Sequence, residues 1–135
     1  MTGERDLDAL LKGMNPEMMD GTFVFCVLAP GVNIPATINP MLTFREREGI
    51  TLVMLREEAE AAGLSHAFAS RLITLTVHSA LDAVGFLAAI TARLAGAGIS
   101  VNAVSAFHHD HLFVPVDRAD EAMAILHEIS KARHP

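Results

Sequence analysis

The residue types best suited to ligand chemistry lie in the segment from His78 to Leu87, which we predict to connect a strand to a helix. Free backbone N–H groups at a helix start favour a bound anion, and Gly85 has no Cβ that would keep a ligand away. This arrangement suits a carboxylate. A structural explanation is also open, in which Ser79 or Asp82 caps the helix and Gly85 allows close packing against a sheet.

Four further side chains are candidate ligand contacts. His78 lies at the predicted strand end and could donate a hydrogen bond to a carboxylate, although it could equally be a structural histidine. Arg45, next to the apolar Phe44, could bind a carboxylate through two parallel hydrogen bonds or simply belong to a mixed-charge hairpin. Ser100 and Asn102 share one face of the next predicted strand.

Metal binding and nucleophilic catalysis are poorly supported by the sequence. The cluster His108-His109-Asp110-His111 falls in one predicted hairpin, where His109 and His111 could converge on a metal but His108 would need the turn to reorient it, and a metal needs three or four convergent ligands. A solvated polar turn is the favoured explanation. Ser79 directly follows His78, so the two cannot form the hydrogen-bonded pair that activates a nucleophile. We therefore predict a protein that is not an enzyme and has no metal site and no cofactor.

Composition narrows the class of protein further. In 135 residues, 51% are hydrophobic and 19% are charged, which is typical of a folded domain with a substantial core. The net charge of -6, the absence of tryptophan and tyrosine, and the lack of a basic cluster argue against nucleic acid. No apolar run is long enough to span a membrane, and the first residues are too charged for a signal peptide. A single cysteine, Cys26, fits the reducing cytoplasm.

Hydrophobic periodicity predicts an α+β arrangement that would position these residues. Helices are expected at 6–12, 56–62 and 83–97, with a last helix capped by Asp117. Strands are expected at 22–28, 43–46, 50–55, 71–78, 99–107 and 111–116, with Gly49 supplying a positive φ in a hairpin between 43–46 and 50–55. The proline-rich segment 29–40 excludes regular structure. The order β, α, β, β, α in the second half is one strand short of a ferredoxin-like unit.

At the strand-to-helix turn the sequence resembles the ACT domain, a small regulatory module that binds amino acids and similar effectors beside metabolic enzymes. The turn of that family reads Asp-x-Pro-Gly-x-Leu, which Asp82, Gly85 and Leu87 match, with Val84 in place of the proline. The later family pattern of glycine, branched residue, asparagine and branched residue is matched by Gly98-Ile99-Ser100-Val101, where a serine replaces the asparagine.

The resemblance implies an α+β fold of two tandem ferredoxin-like (βαββαβ, ACT-type) units, with antiparallel sheets and helices packed on one face. The expected domains are residues 1–68, with the first helix replaced by the proline-rich loop, and residues 69–135. The implied function is a non-enzymatic regulatory protein that binds an amino acid or related carboxylate, forms a homodimer and is cytoplasmic. The alternative is a structural or protein-interaction module that dimerises through its sheets and has an empty pocket.

In the ligand-binding interpretation, backbone amides from Asp82 to Leu87 hold the carboxylate, and Asp82, Ser100 or Asn102 contacts the amine. The full set of expected ligand-binding residues is His78, Ser79, Asp82, Val84, Gly85, Phe86, Leu87, Ser100, Asn102 and Arg45.

Overall fold

The computed structural model describes residues 3–132, which form the expected α+β fold with antiparallel strand pairs. The strands are β1 (Pro16–Met18), β2 (Phe23–Leu28), β3 (Leu42–Glu46), β4 (Gly49–Leu55), β5 (Ala67–Leu75), β6 (Asn102–Ser105) and β7 (Asp110–Pro115). The helices are α1 (Leu7–Gly13), α2 (Arg56–Ala61), α3 (Phe86–Gly96) and α4 (Ala119–Lys131). None of the helices between residues 3 and 132 is long and apolar enough to cross a membrane.

The described residues divide into two compact units. Unit 1 contains residues 3–20 and 71–132, and unit 2 contains residues 21–70. The two stretches of unit 1 are therefore separated in sequence by the whole of unit 2. The expected boundary between the two domains, at residues 68 and 69, falls inside β5 and stays a prediction.

Unit 1 packs three helices against its strands. Within it, β1 pairs with the second part of β5, β6 pairs with β7, and β7 lies beside β5. The apolar faces of α1, α3 and α4 meet those of β5 and β7 in one core. Its central residues are Leu10, Leu11, Ile73, Leu75, Phe86, Ile90, Leu94, Leu112, Val114, Ala122, Leu126 and Ile129. This core fixes the start of α3 and the end of β6, between which the candidate site lies.

Unit 2 has a smaller core under α2. The predicted hairpin of β3 and β4 is present, and Gly49 adopts the expected positive φ, at +153°. The core residues come from β2, β4, α2 and the proline-rich loop: Val24, Cys26, Leu28, Ile38, Leu52, Met54 and Ala59. Burial raises the pKa of the Cys26 thiol, as expected of a packing residue.

Several predicted boundaries were wrong. Helix 83–97 begins only at Phe86, because Gly85 has a left-handed φ of +94°. Strand 99–107 is reduced to Asn102–Ser105. Asp117 does not cap α4, because a 3-10 turn at Val116–Arg118 precedes that helix. The short strand β1 was not predicted, since three residues carry too little periodicity.

Candidate functional site

Unit 1 contains a cavity of about 60 Å³ between the strand-to-helix segment and the hairpin of β6 and β7. Its lining combines apolar side chains with one carboxylate and two hydroxyls. The lining residues are Ser79, Ala80, Leu81, Ala83, Phe86, Leu87, Ser105, Ala106 and Asp110.

The polar part of this cavity is a buried carboxylate, Asp110, of which 7% is exposed. The Ser105 hydroxyl donates to Asp110 Oδ1 at 2.5 Å, and the Ser79 hydroxyl donates to Asp110 Oδ2 at 3.2 Å. Among residues 3–132, no arginine, lysine or histidine nitrogen lies within ion-pair distance of Asp110. A carboxylate offers about four acceptor positions, so two serine donors leave Asp110 able to accept from a cationic group in the cavity.

The N-terminal segment fixes the shape of the chain beside the cavity. The Glu4 N–H donates to the His78 carbonyl, and the Ala80 N–H donates to the Glu4 carbonyl, both at 2.9 Å. Gly3, with φ of +103°, makes this approach possible, since a Cβ there would lie 2.7 Å from the Ala80 nitrogen. These two hydrogen bonds hold residues 78–80 against Glu4, so they restrict the backbone of the loop before α3.

Asp82 is engaged by the same N-terminal segment. Its Oδ1 accepts a hydrogen bond from Arg5 Nε at 2.9 Å, and both side chains are about half exposed. This hydrogen bond holds the pKa of Asp82 below its usual range. Asp82 therefore does not cap α3, and its carboxylate is already paired with a cation.

The start of α3 supplies the apolar wall of the cavity. Gly85 occupies the N-cap position, Phe86 is buried, and Leu87 is partly buried against the core. A Cβ on Gly85 would meet only Leu7 Cδ2, at 3.6 Å, so the glycine is required by its φ and not by a close backbone approach. Val84 is 84% exposed and projects away from the core.

The predicted site residues are brought together only in part. Ser79, Phe86 and Leu87 line the cavity, whereas Asp82, Val84 and Gly85 belong to the adjoining loop without lining it. Ser100 and Asn102 are exposed and do not line it either. Arg45 lies in unit 2, where it lines a separate cavity.

His78 is partly buried beside this site. Its Nε2 is buried without a hydrogen-bond partner among the described residues, and its ring lies 5.3 Å from that of His108. His111 lies on β7, and its Nδ1 is 2.9 Å from Oγ1 of Thr74 on β5. Burial, followed by the nearby His109, lowers the pKa of His111. Between residues 3 and 132 no three histidine, cysteine or acidic side chains are grouped as metal ligands.

Sequence reasoning missed the two residues that complete the polar cluster, Ser105 and Asp110. The segment around Asp110 carries three histidines and was interpreted as a solvated turn. A usable signal was present: Asp110 lies two residues before the apolar run Leu112-Phe113-Val114, so it begins a buried strand rather than a solvated turn.

Two family models for the ACT domain match the chain, at residues 2–71 and at residues 68–128. A Vibrio cholerae protein of unknown function, described as a possible transport protein, is 44% identical, with 92% of this chain and 95% of that chain covered and a TM-score of 0.83. An Agrobacterium tumefaciens protein shares the fold at 18% identity, with 87% and 89% covered and a TM-score of 0.73.

The regulatory subunit of aspartate kinase from Thermus flavus also shares the fold, at 11% identity and a TM-score of 0.63, with 87% of this chain and 96% of that chain covered. No curated protein sequence matches the chain significantly.

Proposed function

The chain belongs to the ACT domain family, and on this basis we propose that it is a non-enzymatic regulatory protein that binds an amino acid or a related small carboxylate in the cavity of unit 1. The family match and the regulatory role of the Thermus flavus relative support a regulatory, ligand-binding role. The observation that carries the proposal is the buried carboxylate of Asp110, which faces a cavity and has hydroxyl partners but no cation among the described residues.

A ligand ammonium would complete the hydrogen bonding of Asp110. Burying an ionised carboxylate is costly unless it is paired, and an ammonium supplies both charge and donors. The role that we expected for Asp82, contact with the amine, is proposed here for Asp110, because Asp82 is already paired with Arg5. The predicted contributions of His78, Ser100 and Asn102 remain expectations.

The size of the cavity limits how a ligand would be seated. Pockets that hold a whole small ligand typically measure about 300–1,000 Å³, so a cavity of about 60 Å³ admits a head group and not a whole amino acid. The body of the ligand would then extend over the exposed side chains of Leu81 and Val84. Its carboxylate would lie near the first N–H groups of α3, which have no acceptors within the helix.

Thermal denaturation in the presence of each common amino acid tests the proposal. A ligand at a hundredfold excess over its Kd raises the free energy of unfolding by about 2.7 kcal/mol. Asp110→Asn keeps the shape of the side chain but removes the charge, so it should weaken binding of the ligand that stabilises the unmodified protein. Asp20→Asn, at an exposed site of the same unit, is the matched control. Equal affinity of the Asp110→Asn and Asp20→Asn variants would contradict the assignment, as would the absence of any stabilising amino acid.

We further propose that the protein is a cytoplasmic homodimer. Val27 and Phe44, both opposite Thr51, lie on one face of the unit 2 sheet and are 64% and 65% exposed. Phe25 and Phe68 form an edge-to-face pair in the same unit, with ring centroids 5.8 Å apart. Exposed apolar patches of this kind are typical of interaction surfaces. Light scattering should give twice the chain mass, and a mass of 14.5 kDa would contradict the proposal.

A further inference from the structure

We propose a second ligand site, in unit 2, that binds a small aliphatic carboxylate through Arg45. The site is separate from the cavity around Asp110 and does not depend on the function proposed for it. It lies where the proline-rich loop between β2 and β3 passes beside the hairpin of β3 and β4.

The loop and the hairpin border a half-open cavity of about 550 Å³. Its lining residues are Val32, Asn33, Ile34, Thr43, Arg45 and Ile50. A second cavity of about 330 Å³ shares Val32, Asn33, Arg45 and Ile50 with the first, so Arg45 stands in a wall common to both. Pockets for small ligands typically measure about 300–1,000 Å³. The larger cavity alone is therefore large enough for a whole small molecule, in contrast to the head-group cavity of unit 1.

The guanidinium of Arg45 is available for a ligand. Thr43 and Arg45 share one face of β3, because alternate strand residues point the same way, and Ile50 is paired with Arg45 on β4. The neighbouring carboxylate, Glu46, borders the smaller cavity but not the larger one, and its Oε1 accepts from the Thr51 hydroxyl at 2.8 Å. Among residues 3–132, no carboxylate lies within ion-pair distance of Arg45.

The rest of the wall is suited to the aliphatic body of a ligand. Val32 and Ile34 are exposed although they are apolar, and both border the cavity together with Ile50. The loop is held at its far end by Ile38, which is buried in the core of unit 2, and by the Met41 N–H, which donates to the Val53 carbonyl at 2.7 Å. An aliphatic group in the cavity would cover Val32 and Ile34.

The side chains that line the larger cavity favour a ligand with a carboxylate. A guanidinium matches a carboxylate through two parallel hydrogen bonds, and Asn33 and Thr43 add neutral polar groups. The larger cavity has no acidic lining residue, so it offers no partner for an amine. A branched monocarboxylate without an ammonium group therefore fits this site, whereas the carboxylate of Asp110 in unit 1 favours a ligand that carries one.

Isovalerate is a suitable probe, and its binding can be followed by calorimetry and by NMR of the isoleucine methyl groups. We expect isovalerate to perturb the methyl signals of Ile34 and Ile50 but not that of Ile90 in the core of unit 1. Arg45→Gln should weaken binding by about tenfold to a hundredfold, since it removes a charge-assisted pair. Arg47→Gln is the matched control, because Arg47 lies in the exposed turn of the same hairpin and lines neither cavity.

Three results would overturn this proposal: no binding of isovalerate, equal binding by the Arg45→Gln and Arg47→Gln variants, or tighter binding of inorganic phosphate than of isovalerate. Unfolding in urea at an unchanged midpoint would show that Arg45→Gln still folds. Isovalerate has no ammonium group for Asp110 to bind, so its failure would leave the proposal for unit 1 unaffected.

Discussion

Replacing Gly85 with alanine separates two reasons for a glycine at the start of α3, backbone geometry and access for a ligand. Gly85 has φ of +94°, in the left-handed region that side chains other than glycine rarely adopt. A Cβ there would lie 3.6 Å from Leu7 Cδ2, which is an ordinary van der Waals contact. The added methyl group therefore fits, and its cost arises from the backbone alone.

The expected magnitude follows from two opposing effects. The left-handed conformation costs an L-residue about 1–2 kcal/mol, and the reduced entropy of the unfolded chain offsets about 0.4–1 kcal/mol of this. Gly85→Ala should thus lower the free energy of unfolding by about 1 kcal/mol. Gly96→Ala is the matched control, since Gly96 lies in the same helix outside the left-handed region with no atom within 4 Å of a new Cβ. That change should stabilise the protein by about 0.5–1 kcal/mol.

Equilibrium unfolding in urea measures both changes. With a urea dependence of about 1–3 kcal/mol per molar, the midpoint should fall by about 0.5 M for Gly85→Ala and rise for Gly96→Ala. Gly85→Asn should fall between the wild type and Gly85→Ala, because asparagine tolerates the left-handed region better. Equal stability of the two alanine variants would refute the backbone argument. Loss of ligand binding by Gly85→Ala at unchanged stability would instead support a requirement for ligand access.

Three further predictions concern other parts of the chain. Burial lowers the pKa of His111, so the unfolded state binds its proton more readily and the free energy of unfolding should fall as pH decreases from about 7 to 5. His111→Gln should flatten that dependence in pH-dependent urea unfolding, and an unchanged slope in this variant would contradict the assignment. Gly3→Ala should detach the N-terminal segment and accelerate hydrogen exchange at the Ala80 amide, and retained protection there would contradict the assignment. Ser70→Ala should cost about 0.5–1.5 kcal/mol in thermal unfolding, because the buried hydrogen bond from the Ser70 hydroxyl to the Phe23 carbonyl is lost, and an unchanged stability would show that this bond contributes nothing.

The secondary structure could be predicted where apolar residues repeat over a long stretch. The apolar run of β2 and the stripe of α3 identified those elements correctly, as did the glycine of the β3–β4 hairpin. Predictions failed where a single backbone angle sets the end of an element or a tertiary contact sets the partner of a side chain. Spacing alone cannot show that Gly85 turns left-handed and delays α3, or that Asp82 pairs with an arginine 77 residues away.

The candidate site was predictable in location but not in chemistry. The strand-to-helix turn was chosen correctly as a border of the cavity, since Ser79, Phe86 and Leu87 line it. Its carboxylate was missed because Asp110 is buried by tertiary contacts, among them a hydrogen bond from Ser79, which is 31 residues away in sequence. The polar sequence around Asp110 indicates an exposed turn, and only the folded structure shows that its side chain is buried.

The separation of unit 1 into two stretches of chain has a consequence for synthesis on the ribosome. Helix α1 leaves the ribosome long before the partners of its buried Leu10 and Leu11 in α3 and α4 have been translated. The residues of unit 2 are contiguous, so this unit can fold as soon as β5 begins to emerge. We therefore expect nascent chains arrested before α3 to carry a protease-resistant unit 2 and a protease-sensitive α1. Helix α1 would therefore reach its packed position only after α3 and α4 have been made.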